Sequence, residues 1–202
     1  MQVPSKGERR MTDSAYDLGA VFDEHVADEF VAKDLAATMA TMTPEPFVNH
    51  VPTMMGGVGG EGVAEFYHKH FIGHWPEDTT ITPVSRTIGA DSVVEEMVVS
   101  FTHDIPMETF LPGVEPTGRP VMLPLVVVMG FEADKVAFER IYWDQASLLV
   151  QVGLLDEKLL PVTGAIQAHK VLDKDLPANM LLQKTHALKS AATETTSNLT
   201  WT

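Results

Sequence analysis

The feature that most constrains the fold is a change of hydrophobic period part-way along the chain. Up to about residue 72 apolar residues recur at helical spacing, and from residue 79 to residue 143 they sit in strand-like runs. Within residues 14–33, Leu18, Phe22, Val26 and Phe30 fall every fourth position, with Val21 and Val31 widening the stripe, which predicts an amphipathic helix. Asp34 stands where it can cap a second short helix reaching Met42, and Pro44-Glu45-Pro46 ends it. A short strand-like run at 47–51 and a glycine-rich loop precede a third helix over 61–72, marked by Val63, Phe66, Tyr67 and His70. Four long strands follow at 79–88, 92–105, 121–131 and 135–143, rich in Val, Ile, Thr and aromatics and bounded by Gly, Pro and Asp turns.

Helices first and strands afterwards argue for an α+β fold, with helices on one face of a curved mixed sheet, because a doubly wound sheet would alternate the two throughout. Residues 145–155 can form a closing helix. The expected organisation is a disordered segment at 1–13, a domain at 14–156 and a partly disordered C-terminal extension at 157–202, which ends in the Ser/Thr-rich ATETTSNLTWT.

With 28 acids against 14 bases the chain carries a formal charge of −14, which would repel a phosphate backbone, so no nucleic acid is expected as a partner. The absence of cysteine removes disulfides, thiolate zinc sites and cysteine nucleophiles together. The first residues are basic but lead into polar DSAYD rather than an apolar run, and no stretch approaches the roughly 20 apolar residues of a membrane span. The expectation is a cytoplasmic protein without a membrane partner.

Two strands offer chemistry. In 92–105, alternation puts Met97, Val99, Phe101 and His103 on one face, so that His103 is a polar handle at the end of an apolar wall, or else a half-exposed strand-end histidine. In 135–143, Phe138, Arg140, Tyr142 and Asp144 share one face, and Glu139, Ile141 and Trp143 the other. Asp144 among aromatic side chains would lose hydration and become a stronger general base, or it could simply cap the helix that begins at Gln145. His50, in the run leading into the glycine-rich loop, is a further pocket candidate.

Other motifs carry less. Residues 57–62 satisfy G-x-G-x-x-G, but the preceding strand is short and separated from the glycines by residues 52–55, so the segment reads better as a flexible loop near a pocket mouth than as a dinucleotide site. His70 and His74 have the spacing of two metal ligands on a helix, with His68 and His50 nearby, yet Gly73 and Trp75-Pro76 should end the helix first, and no metal is expected. Neither a G-x-S-x-G elbow nor a P-loop is present.

The segments Asn49-His50-Val51-Pro52, Gly59-Gly60-Glu61-Gly62-Val63, Ser100-Phe101-Thr102-His103, Pro116-Thr117-Gly118-Arg119-Pro120 and Ile141-Tyr142-Trp143-Asp144 resemble, in order and spacing, the SnoaL-like polyketide cyclase branch of the nuclear-transport-factor-2-like superfamily. That resemblance covers about residues 15–156 and implies a cone whose curved sheet packs against about three helices. It also implies a cofactor-independent cyclase or isomerase, with Asp144 and His103 as its acid/base pair and an apolar carbonyl compound as substrate. His50, Tyr142, Trp143, Phe101, Met97 and Arg140 would then contact the substrate, and two copies would pair as a homodimer. Rival readings are an epoxide or lactone hydrolase using Asp144, Arg140 and Asp104, and a noncatalytic apolar-ligand-binding or dimerisation module.

Overall fold

In the structure, a computed structural model that describes residues 15–158 and 160–183, the helical half comes first, as the change of period predicts. The expected N-terminal segment 1–13 and residues 184–202 of the extension lie outside the described residues. Helix α1 (Leu18–Ala27) is capped by Asp17, whose carboxylate accepts from the Ala20 backbone N–H at 3.0 Å. It runs on without interruption into one π-helical turn at Asp28–Ala32, closed by Lys33 in the left-handed region with φ 51°. Asp34 then caps α2 (Leu35–Ala40) by accepting from the N–H groups of Ala36 and Ala37.

Strand β1 (Met42–His50) is longer than the 47–51 run predicted and includes both prolines. They fit because the pairing of β1 with β6 is interrupted between Met42 and Phe47, so the missing N–H groups leave no ladder bond unmade. The glycine-rich segment is not a flexible loop, as the sequence suggested: it forms β2 (Met55–Val58), which pairs antiparallel with β1, and then the start of α3 (Gly59–Phe66). A Cβ on Gly56, whose φ is +152°, would come within 1.9 Å of the Val48 carbonyl oxygen. Glycine is there for close approach of two backbones. Helix α3 also ends in a π-helical turn, at Tyr67–Phe71.

The long strands are β3 (Thr80–Ile88), β4 (Ser92–Thr102), β5 (Pro120–Glu132) and β6 (Lys135–Trp143), followed by α4 (Gln145–Gln151) and α5 (Ile166–Leu172). They form one six-stranded sheet in the order β2-β1-β6-β5-β4-β3, antiparallel except where β1 runs beside β6. Register fixes what faces inward. His50 lies opposite Ile141, Ile141 opposite Val127 and Val127 opposite Glu95; one row over, Val48, Glu139, Met129 and Val93 line up in the same way. Most of this face is apolar and buried under α1 and α3, and His50, Glu95 and Glu139 are the exceptions. Within the expected C-terminal extension, α5 packs against β5 and β4, and its Ala168 is fully buried.

Candidate active site

The concave face of the sheet and the two π-ended helices enclose a cavity walled by Phe22, Phe30, Phe71, Trp75, Phe110 and Ile141 among others. About 60 Å³ of it is open to the centres of water-sized molecules, several times the roughly 10–15 Å³ that a single water requires. The segment 104–111 closes one end: the Phe110 ring stacks on Trp143 at 4.5 Å and meets Trp75 at 5.3 Å. It is pinned by Thr109, which donates to the His70 carbonyl, by Thr53, which donates to the Thr109 carbonyl, and by Gln145, which donates to the Phe110 carbonyl. Four polar side chains reach this apolar space: Glu29, His50, Tyr67 and Glu139.

Three of them are tied together through His25, which is fully buried on α1. Thr41 donates its hydroxyl proton to the Thr38 carbonyl at 2.7 Å, so it can only accept from His25 Nδ1, 2.5 Å away. That makes Nδ1 a donor. On the other side of the ring, Nε2 lies 2.9 Å from Glu139 Oε1 and 3.3 Å from Glu29 Oε1. Burial alone would push the His25 pKa down, but the Glu139 and Glu29 carboxylates overcome it and hold the value up at about 10, so the ring is an imidazolium. Tyr67 donates its hydroxyl to Glu139 Oε1 at 2.8 Å. Burial and the two neighbouring carboxylates together raise the phenol well above its ordinary value.

The two glutamates therefore differ. Burial raises both, yet the His25 charge and the hydrogen bonds from His25 and Tyr67 outweigh it at Glu139, which is held below the ordinary value and is ionised. At Glu29 burial wins over His25, with the Glu139 charge adding to it, and the pKa moves up. Glu29 Oε1 meets the His25 charge only at 3.3 Å, a longer approach than the 2.9 Å from Nε2 to Glu139. His50 is the fourth group. Burial drives its pKa down to about 4, so it is a neutral imidazole, and its Nδ1 has no hydrogen-bond partner among the described residues.

The carboxylates of Glu29 and Glu139 and Nε2 of His25 lie within 4.8 Å of one another, a set of donors that suits a divalent metal. Thr41, accepting from Nδ1, would orient the imidazole, as hydrogen-bond partners on the far nitrogen of metal-bound histidines do. An ion would first have to displace the Nε2 proton, which the two carboxylates hold strongly.

The structure brings only part of the sequence-predicted site to this cavity. His50 and Met97 line it. Trp143 and Phe101 stand one layer back, packed on Phe110 with centroids at 4.5 and 6.1 Å. Asp144 does not reach the cavity: it is exposed, caps α4 by accepting from the Ser147 N–H at 3.2 Å, and receives the Gln167 side chain on its other oxygen at 3.1 Å. Tyr142 is 42% exposed, and the Arg140 guanidinium lies on the Phe138 ring at 4.1 Å, both on the face turned away. The reason is strand alternation, which turns Glu139 and Ile141 inward and so sends Arg140, Tyr142 and Asp144 the other way. His103 is buried just past the end of β4, its Nδ1 accepting from the Thr117 N–H at 3.4 Å, and is not among the cavity residues.

Glu29, His25, Glu139 and Tyr67 are the functional candidates that the sequence reading passes over. Two signals pointed to them. His25 and Glu29 extend the Leu18, Phe22 stripe at helical spacing, and Glu139 is a charged side chain between Ala137 and Ile141 on the Ile141, Trp143 face of β6.

No protein-family model matches the sequence, and no curated protein sequence does. Solved structures do match in three dimensions. A proposed SnoaL-like polyketide cyclase from Jannaschia sp. CCS1 superposes with a TM-score of 0.55 at 18% identity, over 72% of this chain and 100% of that one. An NTF2-like protein of unknown function from Burkholderia pseudomallei K96243 gives 0.52 at 17% identity, over 68% and 98%. The fold is that of the nuclear-transport-factor-2-like proteins. A protein of ketosteroid isomerase-like fold from Catenulispora acidiphila DSM 44928 superposes on this chain at 0.52 with 13% identity, over 67% and 93%.

Proposed function

We propose that the protein is a cofactor-independent acid–base enzyme of the isomerase or cyclase type, acting on a small apolar carbonyl compound held in the cavity, with Glu29 as its base. The observation that carries this reading is a buried carboxylate at the edge of a mostly apolar cavity, ion-paired through Oε1 with the His25 imidazolium at 3.3 Å. Its raised pKa makes it a stronger base than an ordinary glutamate, while His25 keeps part of it ionised. The Jannaschia neighbour is named as a proposed polyketide cyclase, which belongs to the same class of chemistry.

In the proposed step Glu29 takes a proton from the carbon beside the carbonyl. The C–H electron pair moves onto the carbonyl oxygen as an enolate, and neutral His50 donates a hydrogen bond to that oxygen as its charge develops. Glu29 then returns the proton to another carbon, or the enolate carbon attacks a second carbonyl and closes a ring, and the oxygen of that carbonyl takes the proton back from Glu29. Glu139, Tyr67 and Thr41 position His25, and the aromatic wall excludes water.

Exchange of the α-protons of cyclohexanone in deuterium oxide, followed by proton NMR, tests the reading without knowledge of the natural substrate. The expected result is exchange above buffer, a loss of about 100-fold or more in Glu29→Gln, and a rate that rises with pH through a value above the 4.5 of an ordinary glutamate. Equal exchange in Glu29→Gln, or a rate limb at or below 4.5, would overturn it.

A further inference from the structure

The cavity beside His25 is not the whole of the binding space. A second, polar-lined chamber lies against it and shares a wall of Glu29, Phe30, Trp75 and Ile81. Its own lining differs in kind, with Lys33, Glu77 and Thr79 among its residues. The space open to the centres of water-sized molecules is about 310 Å³ there against about 60 Å³ inside. The shared wall is closed by an edge-on contact of the Phe30 and Trp75 rings at 5.1 Å. Both rings stand on irregular backbone: Phe30 on the π-helical turn that ends at left-handed Lys33, and Trp75 two residues after Gly73, whose φ is +80°. Regular helix or strand would fix these rings more firmly than a wide turn and a glycine-led loop do.

We propose that the outer chamber is a second subsite and that the substrate is elongated: a compact apolar head with its carbonyl in the inner cavity, and an uncharged, hydrogen-bonding tail that passes between Phe30 and Trp75. Three observations combine. The inner space is too small for more than one small ring. Glu29 lines both chambers, so a molecule that spans them passes the base. The outer chamber presents a cation in Lys33 and carboxyl groups in Glu77 and Glu29, so an ionic end of either sign would meet a like charge, whereas hydroxyl, ether or amide groups find hydrogen-bonding partners in Lys33, Glu77 and Thr79. The inference rests on the reading of Glu29 as the base, since that places the reacting carbon at the junction.

Binding read by quenching of tryptophan fluorescence separates the two ideas, because it needs no turnover. Cyclohexanone is compared with cyclohexanone carrying a hydroxyl-ended diether chain at C4, and with analogues whose chain ends in carboxylate or ammonium. The neutral tail is expected to tighten binding tenfold or more over the bare ring. Filling the outer chamber with Thr79→Phe, or with Glu77→Phe at an exposed position if the first variant does not fold, should bring that ratio below twofold. A ratio below twofold in the unaltered protein, a ratio unaffected by the filling variants, tighter binding of either ionic tail, or no binding of the tailed ketone overturns the proposal. A tenfold ratio without α-proton exchange leaves the subsite standing and removes the proposed chemistry. Exchange with no gain from the tail does the reverse.

Discussion

Replacing Glu139 by Gln should discharge His25 and cost the fold several kcal/mol. Lifting a histidine from 6.5 to about 10 corresponds to roughly 5 kcal/mol of favourable interaction with the proton, at about 1.4 kcal/mol per pH unit. Because the folded value lies above the unfolded one, this stabilisation is complete below pH 6.5 and is lost as pH rises towards 10. Glutamine keeps the shape and can still accept from Tyr67, but it removes the nearer carboxylate, 2.9 Å from Nε2, and leaves burial opposed by Glu29 alone at 3.3 Å. Breaking one partner out of a buried ion pair typically costs about 3–5 kcal/mol, in keeping with that figure. The assay is a pair of measurements: the ring nitrogens of His25 followed by ¹⁵N NMR across pH 5–11, and urea unfolding of both proteins at about pH 6 and about pH 10. The unaltered protein should show an imidazolium up to about pH 10 and lose stability over that interval. The variant should show a neutral ring at much lower pH and a flatter stability profile. A neutral His25 at pH 7.5 in the unaltered protein, or a variant with the same unfolding midpoint at about pH 6, would refute the account of the cluster given above.

Two further outcomes follow from the placement of side chains. Asp144→Ala should lower stability by about 1 kcal/mol through loss of the α4 cap and leave α-proton exchange intact; loss of exchange at unchanged thermal stability would return Asp144 to the chemistry. Phe110→Ala removes the ring that closes the cavity against Trp143 and Trp75, and should cost about 3–5 kcal/mol in urea unfolding, while a cost below about 1 kcal/mol would show that segment 104–111 is not a packed wall.

Much of the fold could be read from the residues because the periods are strong. The change from helical spacing to strand-like runs after residue 72, the cap at Asp34 and the turn-bounded strands each rest on local physical chemistry, and each corresponds to an observed element. The site was harder. In β6 the alternation itself was legible and separated Asp144 from Glu139 correctly, but which of the two faces turns inward depends on register with β5 and on what α1 and α3 cover. An aspartate at a strand end satisfies a catalytic pattern and a capping pattern equally well; the helix that follows claims it. Glu29 and His25 are ordinary-looking residues on an amphipathic helix, and nothing within the helix announces that Glu139, more than a hundred residues later, will meet them. The glycines at 56–62 illustrate the same limit, since a requirement for close backbone approach and a requirement for flexibility write the same letters.

The wide turns at Asp28–Ala32 and Tyr67–Phe71 carry an implication for how such a pocket changes over time. Each holds one residue more than a regular helical turn would, and each contains a member of the cavity's polar set, Glu29 in one and Tyr67 in the other. Deleting a residue from either turn would let the helix close up and rotate everything beyond by about 100°. A single codon gained or lost, with no side chain of the polar set substituted, would then change which groups face the cavity. The lining of this cavity is in that sense written partly in the residue count of two helices.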